Sequence, residues 1–119
     1  MKRREFLRAS IGFAFAALAA PGVALAAAQD QIGLAIDQIN QAIPYGEEPA
    51  HSSSFVQHID NAIDHAIMAQ RAQQNAHTRK AIVFLRRARK IAYGTHMLRY
   101  SRRGAALAKK ALAQLQSAQ

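Results

Sequence analysis

Cysteine is absent from the chain. That excludes disulfides, thiolate metal sites and cysteine nucleophiles together. Tryptophan is absent too. The sequence holds no Gly-rich phosphate loop, no Ser nucleophile elbow and no Glu-x-x-His pair for a di-iron centre. No acidic residue follows Asp64. Alanine is abundant and β-branched residues are sparse after position 30, which favours helix. What remains is a chain of 119 residues, room for one small helical domain without the signatures of an enzyme.

The first 26 residues read as a targeting segment. Lys2, Arg3, Arg4 and Arg8 form a basic start, and an apolar run follows from Ala9 to Ala20. Pro21-Gly22 breaks the run, and Ala24-Leu25-Ala26 supplies the small-x-small pattern of a signal-peptidase site. The run is too short and mild for a membrane span. Arg3-Arg4-Glu5-Phe6-Leu7-Arg8 looks like the twin-arginine signature, which implies export of a folded protein to the periplasm. The mature domain then covers 27–119.

Hydrophobic periodicity predicts four helices, over about 30–43, 53–74, 78–93 and 101–115. Asp30 is the expected N-cap of the first, and Pro44 its stop. Ile32, Ala35, Ile36, Ile39 and Ile43 form its apolar stripe. Ser52-Ser53-Ser54 offers a cap for the second, whose stripe is Val56, Ile59, Ile63, Ala66 and Ile67. Ala81, Leu85, Ala88 and Ala92 line the third, and Gly94 is its expected stop. Ala105, Ala108, Leu112 and Leu115 line the fourth. Phe55, Phe84, Tyr93 and Tyr100 read as core or boundary packing, and Met68 and Met97 as gap-fillers.

The two halves echo each other. Ala35-Ile36-x-x-Ile39-x-x-Ala42 returns as Ala81-Ile82-x-x-Leu85-x-x-Ala88. Tyr45-Gly46 returns as Tyr93-Gly94, and Ala62-Ile63 as Ala111-Leu112, at offsets drifting from 46 to 49. A duplicated helical hairpin follows. Two such hairpins bury their stripes as an all-α, up-down four-helix bundle.

Charge divides along the same line. From Ala27 onward all six carboxylates lie at or before Asp64, and all twelve Lys and Arg lie from Arg71 to Lys110, eleven of them in the second hairpin. One reading is that opposite faces help the hairpins dock, each exposed pair contributing a few tenths of a kcal/mol. That reading is favoured because the compensating half is in the same chain. The other is that Arg86, Arg87, Lys90, Arg102 and Arg103 bind an anionic protein or a membrane surface. Docking between chains would give a salt-dependent homodimer in place of a monomer. Export disfavours nucleic acid as the partner.

His51, His58 and His65 recur at a spacing of seven. At 100° per residue the latter two lie at the boundary of the second helix's stripe or on its solvent side. They stand about 10.5 Å apart along the axis, beyond the roughly 4 Å that separates two nitrogens on one ion. Each therefore needs another donor: Asn61 for His65, or a loop carboxylate for His58. His51 and His96 lie in turns at the same end of an up-down bundle. His77 reads first as a polar helix-start residue.

Tyr45-Gly46-Glu47-Glu48 leading to His51, then His58-Ile-Asp-Asn-Ala-Ile-Asp-His65-Ala66, then Asn75-Ala76-His77, resembles the small metal-binding protein family across the whole mature chain. The family's members are exported, His-rich four-helix bundles that bind copper and other divalent metals. The resemblance implies metal ligation by His51, His58, His65, His77 and His96, with copper, nickel or zinc as the ion and buffering or scavenging as the role. Gln38 and Tyr45 stand where the family carries His in helix one, Lys80 and Phe84 in helix three, and Leu107 and Gln114 in helix four. Imidazole with oxygen donors suits Cu(II), Ni(II) or Zn(II), copper binding most tightly.

Overall fold

The computed structural model describes residues 21–119. The basic start and the apolar run to Ala20 lie outside the described residues. Four helices follow in order: α1 (Pro21–Gly46), α2 (Ser52–Ala72), α3 (Ala76–Ala92) and α4 (Leu98–Ala118). Among the described residues there is no strand. Each helix packs on its chain neighbour and α4 closes back on α1, so the expected up-down four-helix bundle forms. Contacts are densest within α1–α2 and within α3–α4, as two hairpins require.

The core is built on alanine. Ala35, Ala42, Ala62, Ala66, Ala81, Ala88 and Ala108 are fully buried, among Ile32, Ile39, Ile59, Leu85 and Leu115. Small side chains let the helices approach closely, and the larger ones fill the gaps between layers. Of the predicted stripes, Ile36, Ile43, Ile67 and Leu112 are only partly buried against this core.

The helix boundaries differ from the sequence reading in physically clear ways. α1 reaches back through Asp30, an interior residue and not a cap, because the Ala-rich stretch 24–28 is a strong helix former. Pro44 lies inside α1. Near the C-terminus its missing N–H interrupts little, and the Glu47 amide still donates to the carbonyls of Ile43 and Pro44. α3 starts earlier than Thr78 because Asn75 caps it, its Oδ1 accepting from the His77 amide at 2.8 Å and the Thr78 amide at 3.3 Å. α4 starts three residues before Ser101. The Met97 amide donates to Thr95 Oγ1, and Ser101 turns inward to donate to the Leu98 carbonyl.

Gly94 ends α3 as expected, with φ +70° in the left-handed region. The Tyr-Gly echo is not structurally equivalent, since Gly46 is helical and buried. A Cβ on Gly46 would lie 2.8 Å from Phe55 Cδ1. Three packing expectations also fail. Tyr93 is 66% exposed and lies under the Arg89 guanidinium, while Met68 and Met97 are about half exposed and fill no gap.

Candidate metal-binding histidines

The helix period places His58 and His65 on the side of α2 that faces α1, half-buried at its edge. There each meets a glutamine. His58 Nδ1 is 2.9 Å from Gln38 Oε1, and His65 Nδ1 is 2.7 Å from Gln31 Oε1. His77 repeats the arrangement in the second hairpin, with Nδ1 2.9 Å from Gln114 Oε1 on α4. A carboxamide oxygen accepts only, so each Nδ1 carries the proton and donates. In a neutral imidazole this arrangement leaves the lone pair on Nε2, the form in which imidazole ligates a metal.

Two of these pairs are repeat equivalents. Gln31 precedes His77 by 46 residues, and His65 precedes Gln114 by 49. The hairpins thus hold the same hydrogen bond with the residue types exchanged between helices. The third pair has no polar counterpart, because the same offsets carry Gln38 to Phe84 and His58 to Leu107.

Around His58 the α1–α2 corner gathers further groups. The Tyr45 ring stacks on His58 at 5.7 Å between centroids and 6° between planes. The same ring meets His51 at 5.8 Å and 54°. His51 Nε2 is 3.8 Å from Glu48 Oε1. Asn61 turns to Gln38 and not to His65, and the loop carboxylate goes to His51 and not to His58. Tyr45 and Gln38, read as lost histidine positions, are the residues that touch His58.

The turns at this end of the bundle do come together. Ser52 does not cap α2. Its hydroxyl donates 2.7 Å to the Thr95 carbonyl and ties the α1–α2 turn to the α3–α4 turn. His96 is exposed in that second turn and lines a cleft of about 750 Å³ with Ser52, Asn61 and Tyr93. As the side chains stand, no three of His, Asp and Glu among the described residues converge on one point.

Arg86, Arg87, Lys90, Arg102 and Arg103 are all exposed. Two cross-hairpin ion pairs form: Arg89 with Asp60, and Lys109 with Glu47 at 2.7 Å. Sequence reasoning singled out neither Arg89 nor Lys109. Their signal was position, since both sit where one hairpin's edge meets the other's. Among the described residues, no helix is long and apolar enough to cross a membrane. Comparison with family models, curated proteins and solved structures finds no match to this chain.

Proposed function

We propose that this chain is a small exported metal-binding bundle, not an enzyme. It buffers or scavenges a divalent transition metal, copper, nickel or zinc, through its histidines. The observation that carries this reading is the α1–α2 corner, where one Tyr45 ring touches both His51 and His58 and Glu48 lies beside His51.

The donor set fits the chemistry. A bound ion would draw on imidazole Nε2 lone pairs and a carboxylate, a combination that ranks Cu(II) above Ni(II) and Zn(II). Gln38 holds the His58 ring by Nδ1, which orients the ring and leaves Nε2 as the ligating nitrogen. His65 and His77 are held in the same way by Gln31 and Gln114. His51 stands at the N-cap of α2 without a side-chain capping bond, and its ring turns instead to Tyr45 and Glu48. Sites of one or two imidazoles at a surface release metal readily, which suits a buffer. Export fits the burial pattern. Gly22 to Ala27 are outside the core and burial begins at Ala28, so among the described residues cleavage near Ala26 removes none of the core.

The test is imidazole NMR during Zn(II) titration of the chelator-stripped protein. The His51 and His58 signals are expected to move first and together. Movement of all five histidines in the order of their exposure would rule out a corner site.

A further inference from the structure

The second hairpin holds more positive charge than the first can match. Twelve Lys and Arg lie from Arg71 onward, against six carboxylates among the described residues. Arg89 and Lys109 have carboxylate partners. The other cations have none within ion-pair distance among the described residues.

The outer seam between α3 and α4 concentrates that excess. The His77–Gln114 hydrogen bond marks it at one end. Steps of three and four from His77 along α3 reach Lys80, Phe84 and Arg87. The same steps back from Gln114 along α4 reach Lys110, Leu107 and Arg103. The four cations are exposed, and Phe84 and Leu107 are half-buried against the core. In the first hairpin the positions of Phe84 and Leu107 belong to Gln38 and His58, a neutral polar pair. One hairpin therefore has a polar seam, and the other an apolar strip between four positive charges.

We infer that the α3–α4 seam docks on an anionic lipid surface, separately from any metal binding. The cations form two rows, about 10 Å along each helix and roughly 8–10 Å between axes. Such a flat, single-sign array with an apolar strip at its centre matches a headgroup layer with hydrocarbon beneath it. A second copy of the chain fits poorly. Outside the cross-hairpin pairs it presents Asp30, Asp37, Glu48 and Asp64, spread over α1, the turn and α2.

The experiment is co-sedimentation of the full chain with phosphatidylglycerol-containing and pure phosphatidylcholine vesicles, at low and high salt. Two variants remove equal charge. The seam variant is Lys80→Gln/Arg87→Gln/Arg103→Gln/Lys110→Gln. The control is Arg71→Gln/Arg79→Gln/Arg86→Gln/Arg102→Gln. Both keep residues 1–20, so the difference between them reads the seam alone, and helical circular dichroism verifies both folds. Seam variants with Lys80→Arg and Lys110→Arg alone are expected to bind like the parent. The full seam variant is expected to lose about tenfold or more of the salt-sensitive binding to anionic vesicles, and the control about threefold or less. Equal losses would reduce the effect to net charge and overturn the proposal. So would indifference to lipid charge. Soluble polyglutamate competing as well as vesicles at equal charge would also overturn it, and would assign the seam to an acidic macromolecule.

Discussion

Phe55 fills the space that Gly104 leaves. A Cβ on Gly104 would lie 3.1 Å from Phe55 Cε2 and 3.2 Å from the Ala88 carbonyl oxygen. The two residues are 49 apart, the offset that relates α2 to α4. They are the same position in the two hairpins: one copy supplies the ring and the other the hole. Phe55 is fully buried, and the exchange fixes how the hairpins seat on each other. Gly104→Ala is expected to destabilise by about 1–3 kcal/mol, although alanine alone favours a helix by roughly 1 kcal/mol. Urea denaturation reads the sign. A stabilised Gly104→Ala would show that the ring does not press on α4.

Thr78 is buried and its hydroxyl has no hydrogen-bond partner among the described residues. Threonine to valine usually costs stability in a satisfied site. Here it removes an orphaned donor and keeps the shape, so Thr78→Val is expected to stabilise by roughly 0.5–1.5 kcal/mol. An unchanged or lower thermal midpoint would contradict this.

Ala50 and Gly94 both adopt positive φ, +66° and +70°. Only one is glycine. Ala50→Gly is expected to gain up to about 0.5 kcal/mol, as relief of the left-handed strain outweighs the added unfolded-state entropy. Gly94→Ala is expected to lose about 1 kcal/mol. Opposite signs in thermal melts are the diagnostic result, and equal signs would refute it.

The Asp60–Arg89 and Glu47–Lys109 pairs tie acidic hairpin to basic hairpin, but all four side chains are about half exposed. A double-mutant cycle on Asp60→Asn and Arg89→Gln is expected to give a coupling of about 1 kcal/mol or less, falling with salt. A larger, salt-insensitive coupling would make charge a main cause of hairpin docking.

Much of the architecture was legible because Ile32, Ala35, Ile39, Ala62, Ala81 and Ala88 carry a clean helical period, and because the halves repeat. Boundaries were hidden where a side chain decided them. Asn75 caps α3 three residues before the start that periodicity predicted at Thr78. Ser52 reaches across to Thr95, which no local pattern announces. Pro44 looked like a stop, yet its position near the C-terminus of α1 disturbs the helix little. The histidines were visible, but their partners were not. Gln31 drew no attention, and Gln38 and Gln114 read only as places where a histidine was missing, until helix pairing brought each oxygen to an Nδ1. The repeat offsets held the clue, since they map Gln31 onto His77 and His65 onto Gln114.

The central claim is metal binding through the first hairpin. Its most direct test is calorimetric titration of chelator-stripped protein with Cu(II), beside His51→Ala/His58→Ala/His65→Ala. The account predicts saturable binding in the parent that is lost in the triple variant. Equal heats in both proteins, or none in either, would contradict it.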